Sequence, residues 1–342
     1  MRLSAMKRIP FLILLLPFVF SLASCETDFD ITAGYKDITV VYGILSQNDS
    51  IHYLRINKAF LGSGNALEYS HIPDSSSYGG NIEVTLEEVT GDGTGNILTF
   101  DTITLAIKDS GAFYYPDHLY YIAKGTLNPT ATYNLKIVNK KNGKVVSSST
   151  KLVQDFNISN PNYWLKTLNF KKANTTTQKF EWESAENGRL YQPVLYYFYK
   201  ETSSPGDTIV RKVEWKFPAK RSSSLDGGKA MSVEYLNADF YARCTAQIPY
   251  ADAAAEEAVI ARVADHLELI FTVVGDDFNT YIEVNEPTTG VLMEKPEYSN
   301  ITNGIGLFSS RYQKKSDYML GKDTQLDLYN NTNLKFVRPV GD

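Results

Sequence analysis

The stretch Thr132-Tyr133-Asn134-Leu135-Lys136-Ile137-Val138-Asn139-Lys140-Lys141-Asn142-Gly143-Lys144-Val145-Val146 decides the fold class. Tyr133, Leu135 and Ile137 alternate with Thr132, Asn134 and Lys136, so an extended chain has one apolar and one polar face. Asn142-Gly143 then separates two β-rich runs, the strongest short hairpin signal in a sequence. One buried face and one wet face is the pattern of antiparallel sheets.

The same pattern recurs outward from this hairpin. Ile82-Glu83-Val84-Thr85-Leu86-Glu87 alternates, and Ile38-Thr39-Val40-Val41-Tyr42-Gly43-Ile44-Leu45 is dense in β-branched and aromatic residues. Leu127-Asn128-Pro129-Thr130-Ala131-Thr132-Tyr133 resembles the late strands of fibronectin-type modules, where a Pro-led turn enters a strand bearing a buried Tyr. Asn157, Ser159, Asn160, Pro161 and Asn162 form a polar break. Beyond it, Lys179-Phe180-Glu181-Trp182-Glu183 and Arg211-Lys212-Val213-Glu214-Trp215-Lys216-Phe217 alternate again. Val194-Leu195-Tyr196-Tyr197-Phe198-Tyr199 is apolar on both faces, which predicts a central strand. Ala255, Val259, Val263 and Leu267 recur every four residues behind Asp252, which predicts an amphipathic helix that His266 ends. A shorter helix is expected from Asp276 or Asp277 to Val284.

The expected fold is therefore mainly β. An N-terminal immunoglobulin- or fibronectin-like antiparallel sandwich spans 37–154, and a β-rich α+β section with one amphipathic helix spans 155–342. The 342 residues are 43% hydrophobic and include 23 Tyr and 17 Phe, too aromatic for a disordered chain. The net charge is −5 without a basic run, which excludes a nucleic-acid surface.

Residues 1–24 read as a targeting segment. Arg2, Lys7 and Arg8 precede an apolar and small-residue stretch from Ile9 to Leu22, shorter than a bilayer span. The charge survives whether Met1 or Met6 is the start. Leu22-Ala23-Ser24-Cys25 matches the lipidation site of bacterial lipoproteins, with Cys25 as the acylated first residue and 25–36 as a tether. Loss of the three cations takes 34 basic residues to 31 against 39 acidic ones, a net charge of about −8. Two or more acyl chains at about 0.8 kcal/mol per buried CH₂ make a stable anchor. The expected location is the outer membrane, held by lipid rather than spanning it. Glu26, Asp28 and Asp30 resemble surface-export signals of Bacteroidota-type lipoproteins; a solvated tether is the plainer alternative, so the leaflet face stays open.

Glu286-Pro287 and then Ser299-Asn300-Ile301-Thr302-Asn303-Gly304-Ile305-Gly306-Leu307-Phe308 resemble the closing motif of an uncharacterised family of Bacteroidota-type outer-membrane lipoproteins, a domain of unknown function. The resemblance implies an envelope role and an outer-membrane receptor as partner, and transfers no catalytic residue. Read from the residues alone, Gly304 and Gly306 permit a bulge or the close approach of another strand.

Motifs for catalysis and cofactors give little. His52, His71, His118 and His266 have no zinc-binding spacing, and Gly-x-Ser-x-Gly does not occur. No cofactor or metal is expected. Gly91–Asn96, Asp226-Gly227-Gly228 and Asp276-Asp277 offer oxygen ligands but read as turns or helix caps. Cys244 reads as a small buried hydrophobe, with a nucleophile as the alternative. Glu181 and Glu183, about 7 Å apart on one strand face, fit glycoside hydrolysis as well as any wet strand. Tyr114 and Tyr115 with Tyr120 and Tyr121 form the preferred exposed patch for a glycan or a partner protein. The leading expectation is a non-catalytic binding or scaffolding protein accessory to an outer-membrane nutrient receptor. A glycan-binding adhesin or nutrient-capture lipoprotein is the second reading, and a glycan-directed hydrolase the third.

Overall fold

A computed structural model describes residues 36–61, 68, 71–106, 117–162, 164–204, 206–286 and 297–339. The Asn142-Gly143 hairpin forms as read. Gly143 takes φ +70° and joins β7 (Thr132–Asn139) to β8 (Val145–Lys151), with Ile137 opposite Val146. The Pro-led turn before it is closed by Tyr133, whose hydroxyl accepts from the Asn128 amide (2.5 Å) and lies 3.2 Å from the Asn128 carbonyl.

The other N-terminal strands are β1 (Lys36–Leu45), β2 (Ile51–Leu61), β3 (Ile82–Thr90), β4 (Gly93–Thr99), β5 (Asp101–Leu105) and β6 (His118–Lys124). A helical turn, α1, covers Pro73–Ser76. Strands β4-β3-β7-β8 make a four-stranded antiparallel sheet. Its inner residues Val84, Leu86, Leu135 and Ile137 pack on Val41, Leu54, Ile56 and Tyr121 of β1, β2 and β6, which gives the expected sandwich.

That second layer does not stop at the N-terminal half. The later strands are β9 (Ile158–Asn160), β10 (Thr167–Leu168), β11 (Gln178–Glu183), β12 (Leu190–Ser203), β13 (Thr208–Lys216), β14 (Lys220–Arg221), β15 (Ala230–Tyr235), β16 (Val259–Val274) and β17 (Gly304–Leu320). The main path of a ten-stranded sheet runs β13-β12-β16-β17-β1-β2-β6-β5. As expected, β12 is interior, between β13 and β16. A second core lies under the three-stranded sheet β15-β11-β9. It joins Phe180, Trp182 and Val233 to Phe240 and Cys244 of α2 (Asn237–Gln247), to Leu328 of α5 (Lys322–Asn331), and to Leu195, Tyr197, Leu267 and Phe271.

The long strand β17 is the splint between the halves. Its first part pairs in parallel with β1, from Thr39 opposite Gly304 to Leu45 opposite Ser310. Its second part pairs antiparallel with β16, from Arg311 opposite Val274 to Met319 opposite His266. Phe308 belongs to the first core and Leu320 to the second. They are an even number of residues apart on one strand, so both cores lie on the same face of the sheet.

The Ser299–Phe308 block builds this joint. Asn300 uses its amide as a strand partner: Nδ2 donates to the Phe308 carbonyl (2.7 Å) and Oδ1 accepts from the Phe308 amide (2.9 Å). Ile301 is buried in the first core, and Thr302 exchanges backbone hydrogen bonds with Ser147. Gly306 has φ +122°, and a Cβ there would meet the Val41 carbonyl oxygen at 2.0 Å. The expected close approach of a strand is therefore present, and the strand is β1.

The predicted amphipathic helix is corrected. Asp252 caps α3 (Ala253–Ala258) by accepting from the Ala254 amide, but the helix ends there and Val259 begins β16. The four-residue repeat of Val259, Val263 and Leu267 is overridden by β-branched content and by the period-two set Leu267, Leu269, Phe271 and Val273. His266 consequently lies within a strand and ends no helix. Arg262 is fully buried: Nε donates to Glu201 Oε2 (2.8 Å), and Nη1 and Nη2 donate to the two Glu256 oxygens (2.8 and 2.7 Å). The shorter helix is present as α4 (Asp276–Asn285).

Candidate functional site

With both cores on one face of the ten-stranded sheet, the other face needs its own account. Helix α4 packs across it: Leu307 and Ser309 of β17 are buried, and the Tyr281 ring meets Tyr42 of β1 edge-on at 6.2 Å. To either side of α4, side chains of the sheet reach solvent.

On the β12–β16 side, the register shifts so that Tyr197 faces Leu267 but Tyr199 faces Ala264. Phe198 thus opposes two residues, Asp265 and His266, in a β-bulge. Leu267 and Ala264 both pack toward the core, so the bulge turns Asp265 and His266 together onto the open face. There the Phe198 and His266 rings stack at 4.6 Å and 4°. His266 Nδ1 is 3.5 Å from Asp265 Oδ2, and its Nε2 is 3.5 Å from Glu268 Oε1. Tyr196 lies beside Phe198, and the Lys212 ammonium sits 4.3 Å from the Tyr196 ring centroid.

Around this cluster Val210 is 61% exposed and Met319 57%. Charges pair within the face: Lys315 with Glu268 (2.5 Å) and with Asp317 (3.3 Å), Lys200 with Asp265 (3.9 Å). Burial pushes the Glu268 carboxyl up, but Lys315 and His266 together hold it below its ordinary value, so it stays ionised at neutral pH. The result is an apolar and aromatic centre with a self-compensated ionic rim.

The sequence-derived candidates fall into several places. Cys25 with Leu22, Ala23 and Ser24, and Tyr114 with Tyr115, lie outside the described residues. Tyr120 is half-buried on the open face of β6, near Tyr53 and Ile122. Tyr121 is corrected: it is 1% exposed, in the first core, with its hydroxyl donating to the Gly79 carbonyl (3.0 Å). Neighbours on a strand point to opposite faces, so Tyr120 and Tyr121 could not share one patch.

Cys244 is buried, and burial pushes its thiol far above the ordinary range, which makes it a poor nucleophile. His52 bonds the Gly125 carbonyl (2.9 Å). Asp226 accepts from Ser224, and Asp276 pairs with Arg189 (2.6 Å). Among the described residues, no group of three or more His, Cys, Asp or Glu is placed to hold a metal ion. No described helix is long and apolar enough to cross a membrane.

The sequence reading missed Phe198, Asp265 and His266 as a unit. The available signal was the pair Asp265-His266, two polar neighbours interrupting an otherwise alternating apolar strand.

No family model and no curated protein matches the chain. Solved structures give weak likenesses. Trypsin-activated alpha-2-macroglobulin from Escherichia coli is 9% identical, over 85% of this chain and 16% of its own, at a TM-score of 0.17. The C-terminal domain of the Streptococcus agalactiae AgI/II polypeptide BspA is 8% identical, over 70% and 95%, at 0.14. The calcium-binding domain CBD12 of CALX1.1 is 7% identical, over 82% and 99%, also at 0.14. Scores this low establish no shared fold, and no function is carried over from these proteins.

Proposed function

We propose that this chain is a lipid-anchored cell-envelope protein that works by non-catalytic binding, and that the bulged open face is where a partner protein docks. The partner we propose is an outer-membrane nutrient receptor. One observation carries the reading: the bulge at Asp265-His266 sets two polar side chains against Phe198, between exposed Val210 and Met319. Bulges re-aim side chains at functional positions. An apolar and aromatic centre inside a polar rim is the anatomy of protein–protein interfaces. Because the rim charges pair among themselves, the face favours a surface of mixed charge over a polyanion.

Crosslinking in intact cells, followed by purification through the anchored chain, tests the docking. The expected result is one envelope protein recovered with the parent chain and lost with Phe198→Ala and Met319→Asp. Recovery undiminished in both variants refutes the face. Cys25→Ala tests the anchor: release from the membrane fraction is expected, and retention refutes lipidation.

A further inference from the structure

A second surface lies on the far side of the sandwich. The outer face of the four-stranded sheet, with Asn300 and Thr302 along one side, forms an open groove of about 720 Å³. Its polar side chains stand in rows across three strands. Glu87, Asn134 and Ser149 form one row, and Thr85, Lys136 and Ser147 the next. Glu83, Val138 and Val145 follow, and Ile97 of β4 flanks Glu87.

These groups are uncommitted. Among the described residues, the side chains of Glu83, Thr85, Glu87, Asn134, Lys136, Ser147 and Ser149 make no hydrogen bond or ion pair. Lys136 lies diagonally between Glu83 and Glu87 and pairs with neither. The side formed by Asn300 and Thr302 is fixed: Thr302 is tied to Ser147 by two backbone hydrogen bonds (2.8 and 3.2 Å), and the Ser148 hydroxyl donates to the Asn300 carbonyl (2.7 Å).

We infer that this groove binds a neutral oligosaccharide. The volume falls within the range of ligand pockets, about 300–1,000 Å³. Carboxylates accept, the ammonium donates, and the amide and hydroxyls do both, so the rows match a ligand whose every hydroxyl both donates and accepts. A polyanion meets Glu83 and Glu87, so the lining discriminates against it, and Lys136 between the two carboxylates offsets much of their pull on a polycation. Ile97, Val138 and Val145 supply apolar contact for the ring C–H groups. This site is separate from the bulged face and stands or falls independently of the docking proposed there.

The test is calorimetry on the full chain in detergent, with neutral β-glucan, α-glucan, xylan and mannan oligosaccharides as probes. Polygalacturonate and chitosan fragments are the charged controls. Binding of at least one neutral series is expected, weakened about tenfold by Asn134→Ala, in line with the loss of a hydrogen-bonding pair. Ser149→Trp, at an exposed position, should block the groove without disturbing the core. Phe198→Ala should leave binding unchanged. The proposal is overturned by no binding of any neutral series at millimolar concentration, by preference for a charged control, or by affinity insensitive to both groove variants.

Discussion

Gly306→Ala tests the joint between the two halves. The residue has φ +122°, a conformation that costs an L side chain roughly 1–3 kcal/mol. The new Cβ would also lie 2.0 Å from the Val41 carbonyl oxygen and 2.9 Å from its carbon. Those are backbone atoms of a strand held between β17 and β2, so no side-chain rotation relieves the clash. Displacing packed atoms of this kind costs about 1–3 kcal/mol more. The alanine returns about 0.4–1 kcal/mol by restricting the unfolded chain. The net expectation is a loss of about 1–5.5 kcal/mol, centred near 3, against the 5–15 kcal/mol typical of folded proteins. Gly143→Ala is the control: its φ is +70° with open space around the added carbon, so after the same unfolded-chain gain it should cost only about 0–1.5 kcal/mol. Urea unfolding followed by circular dichroism measures both. A Gly306→Ala variant within about 0.5 kcal/mol of the parent, or no worse than the Gly143 control, would refute the parallel β1–β17 joint.

Other expectations follow from buried charge and buried sulfur. Arg262→Ala leaves Glu201 buried without its main counter-ion and should cost about 3–5 kcal/mol in thermal or urea unfolding. Hydrogen bonds from Arg262 hold the Glu256 carboxyl below its ordinary value, so its contribution to stability is complete above about pH 4.3 and lost as pH falls through the lower folded value. The unfolding temperature should therefore drop on acidification from pH 5 to 3, and less steeply in Glu256→Gln; parallel curves would contradict the assignment. Cys244 should resist a thiol reagent in the native protein and react fully in urea.

How much of this was legible depends on how local the signal was. The β7–β8 hairpin and the alternating strands β3, β11 and β13 were readable because period-two burial is written into adjacent residues. The β16 segment was not, because Val259, Val263 and Leu267 fit a helical spacing while the partners that make it a strand, β12 and β17, lie about 70 residues before and 45 after. The parallel pairing of Val41 with Gly306 joins opposite ends of the chain, and no local pattern announces it. What the sequence did carry was its consequence: glycines at 304 and 306 where the backbones approach. Of the candidate site, Tyr196 and Phe198 could be read only as aromatic content. Which of them faces water was set by a bulge on the neighbouring strand, and bulges leave only the weak mark of two adjacent polar residues.

The joint also bears on whether residues 37–154 can stand alone. Their core includes two side chains from beyond that span, Ile301 and fully buried Phe308. Removing either is comparable to a large-to-small core substitution, about 2–5 kcal/mol for Ile301 and 3–5 kcal/mol for Phe308. Their loss together approaches the whole stability of a domain this size. It also strips β1 of its parallel neighbour and bares an edge of apolar alternation. A 37–154 fragment is therefore expected to show a collapsed NMR amide spectrum and to aggregate. Appending residues 299–311 through a flexible linker should restore dispersion, because it returns the Asn300 clamp, both core side chains and the β1 partner. A well-dispersed spectrum and cooperative unfolding from the bare fragment would mean that β17 decorates the sandwich and does not complete it.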